Sequence, residues 1–262
     1  MGNLSGKVAL VTGASRGIGR GIGRGIGRGI AERLARDGAL VAVHYGSNEA
    51  AAKECVAAIA GAGGRALTVG AELGVPGDVD TLVGGLEAGL RAHGEAALDI
   101  LVHNAGLNLM GRPIEVLTPE EFDEMVAVNV KAPFFLTQRL LPRLHDGGRI
   151  INISSVSTRI ASAHGIGYPL TKGALEVFGH TLAKYLGPRN ITVNSVVVGF
   201  TRTDMTADVL ADPANLERNL ALTALGRIGE IPDIADAVAF LASDDARWIT
   251  GTKIDVTGGV NL

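Results

Sequence analysis

Seven short runs of apolar, largely β-branched residues punctuate the chain: Val8–Val11, Leu40–Val43, Ala66–Val69, Ile100–Val102, Ile150–Ile153, Ile191–Val198 and Lys253–Val256. Most lack the alternation of a strand with one wet face, so they read as parallel strands covered on both sides. The longer stretches between them read as helices, over Asn48–Ala60, Asp78–Ala92, Pro119–Leu141, Tyr168–Leu186 and Ile231–Ala242. Regular alternation of this kind predicts an α/β fold: a doubly wound, seven-stranded parallel sheet with right-handed crossovers and helices on both faces. No Pro/Gly/Ser-rich linker divides the chain, so residues 1–262 are expected to form a single domain. The longest interval without a strand, Gly199–Gly226, holds helix-like pieces after Thr203 and Pro213. In a compact domain, an interval of that length is expected to serve as a substrate lid.

Composition narrows the class. Hydrophobic residues make up 47% and charged residues 19%, which suits a globular protein with a sizeable core. A net charge of −3 provides no global basic field and argues against a nucleic-acid partner. No apolar run reaches the ~18 residues of a membrane helix, and the polar start Met1–Lys7 does not read as a secretory signal. A cytoplasmic protein is the expectation. Cys55 is alone, which rules out a disulfide framework or a thiolate metal site and predicts a small buried residue. The six histidines show no ligand spacing, so no metal is implied. His44, His93, His145 and His180 read as surface positions, and His164 as exposed beside the segment before Tyr168.

Candidate chemistry begins where the first strand ends. Thr12-Gly13-Ala14-Ser15-Arg16-Gly17-Ile18-Gly19 has a Gly-x-x-x-Gly-x-Gly spacing. Such a turn lets the backbone approach a pyrophosphate and aims helix N–H groups at it. The second strand ends His44-Tyr45-Gly46-Ser47-Asn48, without the carboxylate that would accept a ribose 2′-OH. Arg16 offers a guanidinium suited to a 2′-phosphate, so NADP(H) is expected in preference to NAD(H). Beyond the turn, Arg-Gly-Ile-Gly occurs at 16–19, 20–23 and 24–27. Glycine costs roughly 1 kcal/mol per residue relative to alanine in a helix. The repeat is therefore expected to bulge rather than lengthen the following helix, which resumes at Ile30–Ala35. Two registers compete: Gly13, Gly17 and Gly19 anchored by the strand, or Gly25 and Gly27 counted back from Ile30. The strand-anchored set is favoured because Thr12, Ser15 and Arg16 occur only there.

Tyr168 and Lys172 are i,i+4 neighbours on a predicted helix, with Ser155 thirteen residues before the tyrosine. Forming a tyrosinate at pH 7 from a pKa of about 10 costs roughly 4 kcal/mol, and a nearby ammonium lowers that cost. Such a phenol can give a proton to a carbonyl oxygen or take one from an alcohol.

With Ser155…Tyr168-Pro169-Leu170-Thr171-Lys172, the glycine-rich turn, His103-Asn104-Ala105-Gly106, Asn129, Asn194…Gly199-Phe200-Thr201-Arg202-Thr203 and Asp255-Val256-Thr257-Gly258-Gly259, the chain resembles the short-chain dehydrogenase/reductase family over nearly its whole length. It is most similar there to 3-oxoacyl-(acyl-carrier-protein) reductases and related carbonyl reductases. The resemblance implies a Rossmann-type fold and a catalytic set of Asn129, Ser155, Tyr168 and Lys172. It also implies cofactor contacts from Gly13, Ser15, Arg16, Gly17, Ile18, Gly19, Tyr45, Ser47, Glu72, Asn104, Ala105, Gly106, Tyr168, Lys172, Gly199, Thr201 and Thr203. Lys172 is implied to bind ribose hydroxyls, and Asn129 a water leading to solvent. The chain departs from the family pattern at His103, at Val198-Gly199, at Glu72 and at Thr201, and none of these removes a proton-transfer group.

Leu107, Leu109, Met110, Ile160, Phe200, Met205 and Leu210 would line a mainly apolar substrate site. The expected substrate is a small-molecule carbonyl or alcohol, or an acyl-carrier-protein thioester, for which Arg139, Arg143, Arg149 and Arg189 are candidate rim cations. The resemblance further implies a homotetramer built on the helices over Pro119–Leu141 and Tyr168–Leu186. The expected reaction is NADPH-dependent reduction of a ketone or 3-oxoacyl group. Two alternatives stay open: an alcohol or sugar dehydrogenase running oxidatively, and a non-catalytic scaffold whose repeat has spoiled the cofactor turn.

Overall fold

The computed structural model describes residues 3–15, 25–109, 112–161 and 165–262. Seven parallel strands form one sheet in the order β3-β2-β1-β4-β5-β6-β7. They are β1 (Val8–Val11), β2 (Leu40–Tyr45), β3 (Arg65–Gly70), β4 (Leu98–His103), β5 (Leu144–Ser155), β6 (Thr192–Val198) and β7 (Lys253–Val256). The apolar runs of the sequence thus become the strands, with ends displaced by a few residues. β5 starts well before its apolar run, at Leu144, because Leu144 pairs with Leu98 across an irregularity in register.

The helices are α1 (Ile26–Arg36), α2 (Glu49–Gly61), α3 (Asp78–Ala92), α4 (Pro119–Val126), α5 (Ala132–Leu140), α6 (Gly167–Leu186), α7 (Ala207–Ala211), α8 (Pro213–Leu222) and α9 (Ile231–Ala242). Local chemistry sets their starts. Asn48 caps α2 through Ala51 N–H at 3.0 Å. Thr118 and Glu121 cap α4 reciprocally at 3.2 and 3.1 Å, with Pro119 at the first helical position. Glu230 and Asp233 cap α9 in the same manner.

Two apolar layers sandwich the sheet. On one side Ile30 and Leu34 of α1, Ile59 of α2, and Val238 and Leu241 of α9 pack on Val11, Val41 and Ile100. On the other, Leu82 and Leu86 of α3, Leu136 and Leu140 of α5, and Leu186 of α6 pack on Leu10, Leu40 and Ile150. Cys55 is fully buried in the first layer. Covering both faces leaves the strand ends as the place for chemistry. The carboxyl ends of β1 and β4, where the strand order reverses, form the crevice that such sheets use for ligands. Among the described residues no helix is long and apolar enough to cross a membrane. No group of three or more His, Cys, Asp or Glu among them is placed to hold a metal.

Candidate active site

At the switch point the turns after β1 and β4 are stitched together. Thr12 Oγ1 donates to Val102 O at 3.2 Å and accepts the N–H groups of Asn104 and Ala105, each at 3.0 Å. Asn104 Nδ2 donates to Thr12 O at 2.8 Å and to Gly13 O at 3.2 Å. Gly13 sits at φ +64°, where a Cβ would lie 2.9 Å from Ala105 Cα, so glycine is required twice over.

The helix that follows carries the second of the two glycine sets against the turn. Gly25 is the N-cap of α1, and a Cβ on Gly27 would lie 2.6 Å from Gly13 O and collide with Asn104 Nδ2. The glycines described at the start of α1 are therefore Gly25 and Gly27; Gly17 and Gly19 of the strand-anchored register lie outside the described residues. The cause is packing: Ile30, Ala31, Leu34 and Ala35 are buried and fix where α1 lies on the sheet, and counting back from them sets its first turn. Arg16, Gly17, Ile18 and Gly19 lie outside the described residues, while Ser15 is buried at the end of the turn.

His44 is not at the surface, the position the sequence leads one to expect. It is buried, 2% exposed, and accepts Gly13 N–H on Nδ1 at 3.0 Å. Its Nε2 lies 2.9 Å from Ala71 O, which requires the proton on that nitrogen. Burial lowers its pKa to about 4, so the ring is neutral at pH 7. A position read as surface lies on β2 between β1 and β3 in the sheet and ties three strand ends together. Beyond it Tyr45 lies over Gly70, and Ser47 and Glu72 are exposed on the same edge.

The second half of the crevice is built from β5, α6 and the helix before it. Ser155 ends β5, and its hydroxyl bonds the Tyr168 hydroxyl of α6. Although the Tyr168 ring is partly exposed, its hydroxyl is enclosed, and burial raises its pKa to about 12 against the opposing hydrogen bond of Ser155. The opposing effect comes from Ser155, not from Lys172 as the sequence leads one to expect. Lys172 Nζ donates to Ile153 O at 2.9 Å and stands 5.7 Å from the tyrosine ring centre. Burial lowers its pKa to about 8, which leaves it mostly protonated at pH 7.

The stretch read as one helix over Pro119–Leu141 contains a π-helical turn, Ala127–Lys131, between α4 and α5. Asn129 within it is buried and clamps the backbone after β4. It accepts Leu107 N–H at 2.7 Å and donates to Leu107 O and Thr171 Oγ1, both at 2.9 Å. Gly106 lies beneath this junction: a Cβ there would approach Lys172 Nζ to 3.3 Å and Asn129 Oδ1 to 3.4 Å. His103, at the end of β4, is buried against Thr137 Oγ1 at 2.8 Å, and burial together with Lys172 lowers its pKa to about 3.

Gly199 leaves β6 so close to Thr257 that a Cβ would lie 2.7 Å from its Cα. Thr201 is buried and donates to Gly199 O at 3.1 Å, and Thr203 caps the short helical turn Asp204–Thr206. Asn108 Nδ2 reaches Met205 Sδ at 3.6 Å, so the segments after β4 and β6 meet across the mouth. Ile160 and Phe200 pack on Val156, Val197 and Val260, and Leu210 is buried; Met110 and His164 lie outside the described residues.

The arginines considered for a rim are elsewhere. Arg149 is buried on Gly148 O, Ser243 O and Asp244. Arg189 holds Asp146 and Leu141 O near the start of β5, at the amino end of the strands and opposite the crevice. Arg139 and Arg143 pair with Asp80 and Glu87 of α3.

Residues 21–261 match the family described as Enoyl-(Acyl carrier protein) reductase. An uncharacterized oxidoreductase of Methylorubrum extorquens is 43% identical over 261 residues, covering 99% of this chain and 100% of its own length. The tetrahydroxynaphthalene reductase of Pyricularia oryzae is 37% identical over 270 residues, covering 98% of this chain and 90% of its own. Among solved structures, the angucycline C-6 ketoreductase LanV with bound NADP is 54% identical, with a TM-score of 0.92, and covers 100% of this chain and 98% of its own. A second LanV structure holds NADP and rabelomycin, at 53% identity and a TM-score of 0.88 over the same shares. The chain belongs to the short-chain dehydrogenase/reductase family and is an oxidoreductase.

Proposed function

We propose that this short-chain dehydrogenase/reductase uses NADPH to reduce a ketone on a fused-ring aromatic polyketone-type substrate, with Tyr168 as the proton donor. The observation that carries the reading is the enclosed Ser155–Tyr168 hydroxyl pair beside the buried Lys172 ammonium, at the mouth of the switch-point crevice. The cofactor fits the residues present. Gly25 and Gly27 offer backbone N–H groups at the first turn of α1, and Gly13, whose own N–H is held by His44, adds no side-chain bulk where a diphosphate would lie. Lys172 has one described partner, Ile153 O, which leaves ammonium protons for ribose hydroxyls. The end of β2 carries no carboxylate to repel a 2′-phosphate. LanV, the closely similar ketoreductase described above, binds NADP.

When bound, NADPH supplies the hydride. Ser155 hydrogen-bonds the substrate oxygen and holds it against Tyr168. The phenol, neutral at pH 7 because burial raises its pKa to about 12, gives its proton to the alkoxide, which is the stronger base. Oxidation would instead require Tyr168 to lose its proton first, which burial disfavours. The ketoreductase relatives support reduction over the oxidative alternative. Lys172 carries positive charge toward the phenolate formed, and Asn129 holds the Leu107 backbone under it.

Fused-ring substrates are supported by rabelomycin in LanV and by the tetrahydroxynaphthalene reductase relative. An acyl-carrier-protein thioester is less favoured, because all four candidate arginines are engaged within the chain. Exposed Phe134, Phe135, Val177 and Tyr185 on α5 and α6 favour self-association, and we include a homotetramer in the proposal. A monomeric mass in light scattering would refute that part.

The test is NADPH consumption with rabelomycin, 2-tetralone and an acetoacetyl thioester, alongside cofactor titration. Turnover of the cyclic ketones with preference for NADPH over NADH supports the reading. Failure to bind NADPH at millimolar concentration would favour the scaffold alternative.

A further inference from the structure

Glu176 stands on α6 one turn beyond Lys172 and two beyond Tyr168, and it is buried. A buried carboxylate is costly unless its oxygens are partnered, and these are. Oε1 accepts from Ser154 Oγ at 2.6 Å and from Thr158 Oγ1 at 3.0 Å, while Oε2 faces Lys253 Nζ of β7 at 3.3 Å. Ser154 and Thr158 bracket Ser155 in the chain. Thr158 Oγ1 also lies 3.0 Å from Ser155 O, so its single proton is shared between the carboxylate and that carbonyl. One carboxylate therefore grips, from the helix that carries Tyr168, both sides of the residue whose hydroxyl meets the tyrosine. An apolar seam would join helix and sheet at less cost, so the charge fits a need for fixed geometry.

We propose that Glu176 is a positioning residue: it fixes segment 154–158 against α6 and so sets the Ser155 hydroxyl on the Tyr168 hydroxyl, with Lys253 as its counter-ion. Glu176 acts through Ser154 and Thr158 rather than on substrate or cofactor. The inference rests on the roles of Ser155 and Tyr168 proposed above, and it carries a readout that needs no turnover. In protein labelled with 13Cζ-tyrosine, the Tyr168 resonance, assigned by Tyr168→Phe, reports the hydrogen bond to its phenol at neutral pH.

The variants are Glu176→Gln, which keeps the volume, and Ser154→Ala with Thr158→Val, which leaves the helix untouched. The double variant is expected to move the Tyr168 resonance and to lower kcat on 2-tetralone about tenfold, with the Kd for NADPH unchanged within twofold. Ser154→Ala with Thr158→Ser, which returns one hydroxyl to the carboxylate, is expected to recover most of the loss. Glu176→Gln is expected to fall between the two. An unmoved resonance with unchanged kcat in the double variant that binds NADPH normally overturns the proposal. So does a loss that appears equally in NADPH affinity, or one that Thr158→Ser fails to rescue. If wild type reduces no ketone, the functional reading fails on its own, and the resonance alone decides the role of Glu176.

Discussion

The two ends of the crevice are specified in opposite ways. Around Ser155 and Tyr168, geometry comes from polar side chains that reach between elements: Ser155 from β5, Tyr168 and Lys172 from α6, Asn129 from a π-helical turn. Around the β1 turn, it comes from side chains that are missing. Gly13 and Gly27 let the strand turn and the first turn of α1 approach until a methyl group would collide. A site made of functional groups is named by residue identity. A site made of absences depends on which glycine stands where, and a tetrapeptide repeated three times makes identity uninformative.

The largest effect is expected at the polar end. Tyr168→Phe removes the proton donor and leaves the ring, so kcat for ketone reduction should fall about 10³-fold, within the usual range for general acid catalysis. NADPH binding should stay within a few-fold. Retained kcat would remove the functional contrast between the two ends, because proton transfer would then not be localised at Tyr168.

At the glycine end, Gly27→Val places methyl groups against Gly13 O and Asn104 Nδ2, overpacking that typically costs 1–3 kcal/mol. NADPH affinity should fall tenfold or more, whereas Gly19→Val should change it less than twofold. The reverse ranking would favour the strand-anchored register. Removal of residues 16–23, which joins Ser15 to Arg24, sharpens the point. The shortened chain keeps Gly13-Ala14-Ser15-Arg24-Gly25-Ile26-Gly27, the spacing of a single turn. Closing a shorter loop should stabilise the protein on the order of 1 kcal/mol, seen as a raised thermal midpoint, with NADPH affinity equal or tighter. Lost binding would show that the repeat itself holds the cofactor.

The same contrast explains what the sequence made legible. Seven strands were readable because parallel strands covered on both faces leave continuous apolar runs, and the Tyr168–Lys172 pair because helix spacing puts both on one face. β5 reaches back to Leu144 across a register irregularity opposite Leu98–Ile100, which leaves no trace in side-chain pattern. The π turn that buries Asn129 is likewise invisible, since its apolar spacing differs from a straight helix by one residue. His44 was misplaced because burial of a polar residue depends on partners, here Gly13 N–H and Ala71 O, that lie 31 and 27 residues away.

Each end also carries one buried histidine, which allows a smaller test. His44 holds the glycine turn, and His103 lies beside Lys172, with pKa values lowered to about 4 and about 3 from the ordinary 6.5. Both rings are neutral in the folded protein, while the unfolded chain takes up protons from pH 6.5 downward. The unfolded state therefore binds more protons across this window, and stability falls as pH falls. At 1.36 kcal/mol per unit, each histidine should remove about 2 kcal/mol between pH 6.5 and pH 5. His44→Gln keeps an acceptor for Gly13 N–H and a donor for Ala71 O but cannot titrate. It should remove about half of this acid loss in denaturant midpoints measured across the window, and His103→Gln a similar part. Equal slopes in wild type and both variants would mean that neither ring is held neutral, and His44 would lose its place as the clamp on the turn.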